Sequence, residues 1–202
     1  MKRPSRQNPL TRRRCVYAAV LALVTVFLGA CLGTPEKVKP VEGFEMQRYL
    51  GTWYEIARLD HSFERGLQRV SAQYTPREDG GISVLNRGYD PEAGEWREAD
   101  GRAYFVEGDT RGYLKVSFFG PFYGSYVIFE LDKNNYQYAF VSGPNEKFLW
   151  LLARTADPAD SVIEYFLEAA RERDFDVESL IFVDHDTGGE RVLSGGEAAW
   201  AR

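Results

Sequence analysis

Cys31 follows Leu28-Gly29-Ala30 directly, at the end of an apolar run. A thiol can be a nucleophile, a metal ligand, half of a disulfide or the site of a covalent acyl group. The only other cysteine, Cys15, lies in the basic, apolar N-terminal stretch. The two histidines, His61 and His185, stand apart, one in a predicted loop and one beyond the predicted core. Neither has a serine elbow nearby. The chain carries no Gly-x-Ser-x-Gly, no His-Glu-x-x-His and no phosphate-binding loop. Asp184 and Asp186 alternate near the end of the predicted domain, where they read as a solvated terminus. The expectation is a binding protein with no catalytic residue, no metal ligand set and no cofactor.

Residues 1–30 carry six cations (Lys2, Arg3, Arg6, Arg12, Arg13, Arg14) and no acid. Val16–Leu28 has the length of a signal-peptide apolar core and is short for a bilayer span. Leu28-Gly29-Ala30-Cys31 resembles the lipobox of bacterial lipoproteins. The resemblance implies cleavage before Cys31, diacylation of its thiol and acylation of its new amino group. More than one chain on Cys31 makes stable membrane anchoring. Leu32 follows, where an Asp would resemble an inner-membrane retention signal, so the expectation leans to the outer membrane, on its periplasmic side.

Setting aside the six leader cations leaves 19 basic against 30 acidic residues, a net charge near −11. Such a surface repels nucleic acid and anionic headgroups. With Cys15 removed and Cys31 acylated, no thiol remains for a disulfide. The remaining 172 residues are enough for one domain with a full core.

Residues 31–43 hold Gly, Pro and Lys without periodicity and read as a lipidated tether. Eight apolar-rich segments follow: Trp53–Leu59, Val70–Tyr74, Ile82–Tyr89, Trp96–Val106, Tyr113–Phe119, Ser125–Leu131, Tyr136–Val141 and Phe148–Ala153. Turn signals separate them, such as Glu78-Asp79-Gly80-Gly81 and Asp132-Lys133-Asn134-Asn135. Connections this short make consecutive strands antiparallel neighbours. Eight strands in an open meander would leave two bare edges, which closure into an up-and-down barrel removes. The fold class is therefore all-β, an eight-stranded antiparallel barrel. Asp157-Pro158 predicts a helix N-terminus, and Val162, Phe166, Ala169 and Ala170 share one face of a helix over 158–173. That face packs outside the barrel. Leu180-Ile181-Phe182-Val183 reads as a short edge strand, residues 44–186 as the domain, and residues 187–202 as a flexible tail.

Gly51-Thr52-Trp53-Tyr54-Glu55 opens the first strand, and Arg154 closes the last, in Leu151-Leu152-Ala153-Arg154-Thr155. With the meander and the helix, these residues resemble the lipocalin family. GTWYEIAR (51–58), FERGL (63–67), KVSFFGPFY (115–123) and FLWLLART (148–155) are similar to the bacterial lipocalins of the outer membrane, with apolipoprotein D a more distant relative. The similarity runs over about residues 44–185 and departs at Leu131-Asp132-Lys133, where the family typically has Thr-Asp-Tyr. It implies that Trp53 and Arg154 plug the closed end of the barrel.

An eight-stranded barrel holds side chains or one small ligand. Alternation places Glu55, Ala57, Tyr74, Tyr89, Tyr104, Val116, Phe118, Tyr126, Tyr138 and Trp150 inward, as candidate ligand contacts. Such a wall suits an acyl chain, of a fatty acid or a lysophospholipid, with its polar head near the mouth. Lys115 and Arg111 are candidate partners for that head, and Phe63 a candidate lid. Phe119, Phe122 and Tyr123 form an aromatic loop that is a lid, a homodimer patch or a membrane-touching rim. Two functions stay open: a membrane-tethered carrier or store of lipid, and an interaction protein with a filled barrel whose aromatic loops do the work. A porphyrin or retinoid carrier is a third reading.

Overall fold

The structure is a computed structural model that describes residues 33–185. Cys31, the leader and the tail over 187–202 lie outside the described residues. Eight strands form the barrel: β1 (Gly51–Leu59), β2 (Gln68–Pro76), β3 (Ile82–Asp90), β4 (Glu95–Phe105), β5 (Tyr113–Ser117), β6 (Gly124–Leu131), β7 (Tyr138–Ser142) and β8 (Leu149–Ala153). A ninth, β9 (Leu180–Phe182), follows a short helix α1 (Met46–Tyr49), the long helix α2 (Asp160–Glu172) and a single 3₁₀ turn in chain order. Each barrel strand pairs antiparallel with its sequence neighbour, and β1 closes the ring. One edge of β1 pairs with β8. The other pairs with β2 over Gly51–Tyr54 and with β9 over Ala57–Leu59. No bare edge is left on β1, as the argument from edge pairing requires.

The turns follow from their residues. The Asp90 carboxylate accepts the N–H groups of Glu92 and Ala93, and Gly94 takes φ 70°. Asp132 does the same for Asn134, Asn135 and Gln137. Tyr136 sits in that turn with φ 56°, so β7 starts at Tyr138 and not at Tyr136.

Alternation sorts the apolar residues into two clusters. Ile82, Val84, Ala103, Leu114, Val141 and Leu152 face the barrel interior. Phe129, Phe140, Leu149 and Leu151 face outward and meet Phe166, Ala169 and Ala170 of α2. The rings of Phe140 and Phe166 lie edge to face at 5.1 Å. The helix starts two residues later than its sequence signal: Ala159, extended at ψ 143°, holds the N-cap position with no side-chain cap, and Asp160 supplies the acid of the first turn. No helix among the described residues is long and apolar enough to cross a membrane.

The segment expected to be a tether is packed from residue 33 onward. A Cβ built on Gly33 would stand 3.1 Å from the Pro144 carbonyl, in the β7–β8 loop. The chain then buries Val38 against the outer cluster. It hydrogen-bonds β6 through Val41 N–H and the Ile128 carbonyl (2.9 Å), and reaches the β4–β5 turn through Phe44 N–H and the Thr110 carbonyl (2.8 Å). It thus runs the length of the barrel before α1. Buried Val38 and Phe44, together with these backbone bonds, hold it there, where composition alone reads as linker.

Candidate ligand-binding site

At the end of the barrel where β1 begins, Trp53 is fully buried. Its indole N–H donates to the Tyr49 carbonyl (2.7 Å), which fixes α1 across the base. The Arg154 guanidinium lies 3.9 Å over the Trp53 ring. It donates to three carbonyls, those of Arg48 (2.7 Å), Thr52 (2.8 Å) and Tyr136 (3.2 Å). Residues from α1, β1 and the β6–β7 turn are held by one side chain, and this end is shut.

The interior above the plug is open. An inner chamber of about 90 Å³ leads into a wider mouth of about 460 Å³. Phe63, Glu64, Val70, Asn86, Val116, Phe118, Ser125 and Trp150 line both, so the two form one path. Together they fall within the roughly 300–1,000 Å³ of small-ligand pockets. Ala72, Ile82, Val84, Ala103, Leu114 and Leu152 make the inner wall mostly apolar.

Two polar groups interrupt that wall. At the base, the Tyr126 hydroxyl bonds those of Tyr49 (2.7 Å) and Tyr74 (2.9 Å). Burial pushes all three phenols above their ordinary value, so they stay neutral. Three hydroxyl protons serve two bonds, so one proton is left over in any arrangement.

Higher up, Arg58 donates to Glu55 (2.6 Å) and to the carbonyls of Glu64 (2.9 Å) and Leu67 (3.2 Å). The Glu64 carboxylate takes the Trp150 indole N–H (3.1 Å) and stands 3.0 Å from His61. All four ionisable groups are buried. Burial raises Glu55 well above the usual carboxylate range, the charge of Glu64 adds to the rise, and Arg58 opposes it. Burial also works against the charge of Glu64, but His61, Trp150 and Glu55 hold it below its ordinary value. The cluster therefore presents two acids of opposite tendency to the cavity, Glu55 shifted toward its neutral form and Glu64 toward its charged one, tied to the β1–β2 loop.

Of the residues placed inward by alternation, Glu55, Tyr74, Val116, Phe118, Tyr126 and Trp150 line the cavity. Ala57 does not. A bulge between Glu55 and Ala57 shifts the register of β1, and Ala57 joins the outer cluster. Tyr89, Tyr104 and Tyr138 have the opposite parity from that expected, since Gly88, Ala103 and Ala139 are the buried residues beside them. Tyr89 lies under Arg69, 3.9 Å from its guanidinium, and Tyr104 donates to Asp79 (2.9 Å). Tyr138 packs in the outer cluster, edge to face with Tyr165 of α2 at 6.2 Å.

The expected head-group cations are displaced too. Arg111 pairs with Glu42 (2.8 Å) and Glu107 beside the closed end, and Lys115 rests over the Tyr123 ring at 5.2 Å. The cations at the mouth are Arg87 and Arg97. Arg97 pairs with Asp90 (2.5 Å), and Arg87 stands 3.4 Å from Glu98. Phe63, the candidate lid, lines both chambers and stacks on His61 at 4.0 Å.

Sequence reasoning missed Tyr49, Arg58, His61 and Glu64 as parts of this interior. One signal was available: Glu55 and Arg58 are charged residues within an otherwise apolar strand. Among the described residues no group of three or more His, Cys, Asp or Glu could hold a metal ion.

A lipocalin-like domain model matches residues 44–185. The outer membrane lipoprotein Blc of Vibrio cholerae is 64% identical over 166 residues, covering 82% of this chain and 97% of that protein. Outer membrane lipoprotein Blc of Escherichia coli K12 is 48% identical over 170 residues, covering 83% and 94%. Among solved structures, insecticyanin from the tobacco hornworm Manduca sexta shares the fold at TM-score 0.62 and 21% identity, covering 77% of this chain and 88% of that one. The plugged barrel with its open, mostly apolar interior agrees with these matches, and the chain belongs to the lipocalin family.

Proposed function

We propose that this protein is an outer-membrane lipoprotein that carries or stores a single-chain lipid, a fatty acid or a lysophospholipid, in its barrel. The observation that carries the reading is the path from mouth to inner chamber, wide at the top, narrow and apolar below. An acyl chain fits it tail first. The buried Glu64 carboxylate works against a carboxylate or phosphate that tries to descend, and the one cation of the cluster, Arg58, is already committed to Glu55 and to the carbonyls of Glu64 and Leu67. Arg87 and Arg97 at the mouth favour an anionic head that stays there. A barrel filled by its own side chains, the alternative reading, does not fit this open interior.

Anchoring through acylated Cys31 is supported by the 64% identity to a lipoprotein named for the outer membrane. Attachment on the periplasmic side is the orientation we favour. A net charge near −11 supports the absence of a nucleic-acid partner.

Mass spectrometry of the native extract tests the reading. The Cys31→Ser protein is purified without detergent and its bound small molecules are identified. A stoichiometric fatty acid or lysophospholipid is expected. An empty extract, together with failure to displace a fluorescent fatty acid, would overturn it, and an absorbance band in the visible would favour a pigment carrier instead.

A further inference from the structure

The base of the cavity holds a chain of hydrogen bonds with a loose end. Tyr49 comes from α1, Tyr74 from β2 and Tyr126 from β6. All three line the inner chamber, and the Tyr49 ring rests on the Trp53 ring of the plug at 4.7 Å. The Tyr126 hydroxyl meets that of Tyr49 at 2.7 Å and that of Tyr74 at 2.9 Å. A hydroxyl has one proton to donate. If Tyr126 accepts from Tyr49 and donates to Tyr74, the Tyr74 proton is spare, and the reverse order spares the Tyr49 proton. If Tyr126 accepts from both, its own proton is spare. Every arrangement leaves one phenol proton on the chamber wall that this chain of bonds does not use.

The chamber around that proton is mostly apolar, with Ile82, Val84, Leu114 and Leu152 in its wall. A buried donor left unpaired costs more than a paired one gains. Among the described residues, no Lys, Arg or His lines this chamber. An anionic oxygen would therefore find donors there but no opposite charge, and the Glu64 carboxylate in the same wall works against it. The partner that fits is a neutral oxygen acceptor on a chain slim enough for the narrow inner chamber.

We propose that the three phenols form a second polar subsite, and that the barrel selects acyl chains bearing a neutral oxygen toward the end remote from the head: hydroxy-, oxo- or epoxy-acyl lipids. This rests on the lipid-carrier reading and narrows its ligand to a class. The apolar part of the chain follows the wall, and the oxygen accepts the spare phenol proton. The sign of the effect is diagnostic, because the same oxygen in a wholly apolar pocket is buried unpaired and weakens binding.

Displacement of a fluorescent fatty acid from the Cys31→Ser protein tests the subsite. The competitors are hexadecanoic acid and hexadecanoic acids bearing one hydroxyl or one oxo group, moved carbon by carbon from mid-chain to the methyl end. A second protein also carries Tyr49→Phe, Tyr74→Phe and Tyr126→Phe, which keeps the rings and removes the hydroxyls together, so none is stranded. With the tyrosines in place, at least one position in the methyl half is expected to bind as tightly as the plain acid or tighter, for hydroxyl and oxo alike. In the triple-Phe protein the plain acid should bind within about twofold of its former affinity, and that derivative about tenfold more weakly, the worth of one buried hydrogen bond. Weakening at every position in the tyrosine protein overturns the proposal without need of the variant. A favoured derivative that the triple-Phe protein binds equally well also overturns it, because its oxygen is then held elsewhere. So does a hydroxyl favoured where the oxo group is not, since the phenols would then be accepting. If hexadecanoic acid and all its derivatives fail to displace the probe, the carrier reading falls and the subsite with it, a result distinct from the loss of selectivity alone.

Discussion

The two ends of the barrel are built on opposite principles. At the closed end the polar groups of the plug are spent: Trp53 is fully buried, its N–H is bonded, and Arg154 serves three carbonyls and one ring. At the open end phenylalanines are bare and the loops enclose empty volume. The polar cluster of Glu55, Arg58, His61 and Glu64 sits between these regimes, and both ring nitrogens of His61 lack a well-formed hydrogen bond. Stability is concentrated where nothing has to enter, which leaves the mouth free to trade packing for access.

The contrast can be broken first at the plug. Trp53→Ala removes the largest fully buried side chain and is expected to cost about 3–5 kcal/mol. Arg154→Ala strands three carbonyls and should cost about 2–4 kcal/mol. Urea unfolding of each variant should show a lower midpoint with an unchanged slope. A midpoint within error of the parent would mean that the base is not held by this pair.

The middle cluster gives a sharper, asymmetric comparison. Glu64→Ala leaves the Trp150 indole N–H without its acceptor and removes the carboxylate beside His61, and loss of a buried charged partner costs about 3 kcal/mol. Glu55→Gln should change stability by no more than about 1 kcal/mol at acid pH, because a neutral acid and an amide make similar bonds.

pH separates the two acids. Glu64, held below its ordinary value, adds stability that is present above the unfolded value and lost as the pH falls through the folded one. Glu55, held above its ordinary value, adds stability that is full below the unfolded value of about 4.3 and is lost as the pH rises through the folded one. Glu55→Gln should therefore gain on the parent as the pH rises from about 4.3. Unfolding free energies measured from pH 4 to 8 would show it, and parallel curves would contradict the neutral acid.

At the rim the expected stability effect is smallest. Phe119→Ser and Phe122→Ser should each lie within about 0.5 kcal/mol of the parent, since exposed side chains contribute little to folding. A large loss of stability would mean that these rings pack in the fold.

The eight strands, their turns and the outer helix were legible because alternation, Asp and Gly turn signals and one amphipathic run all pointed to one architecture. Trp53 and Arg154 were legible through resemblance. The cavity wall was half legible. Val116 and Trp150 lie on strands whose parity holds, and Phe118 follows directly on β5, whereas the bulge after Glu55 sends Ala57 outward with no sequence mark. Tyrosines mislead for a physical reason: a phenol satisfies an outward site as well as an inward one. Tyr89 does so under an arginine, Tyr104 on a carboxylate and Tyr138 beneath a helix. The buried acids were illegible because charged residues are exposed by default and only the closed barrel brings Glu55 and Glu64 together.

The most direct test of the account is a crystal structure with bound lysophosphatidylethanolamine. The account predicts the acyl chain running from the mouth past Phe118 and Trp150 toward Tyr126, with the phosphate outside the barrel near Arg87 and Arg97. A phosphate buried against Glu55 and Glu64, or a lipid bound on the outer surface with the barrel empty, would contradict it.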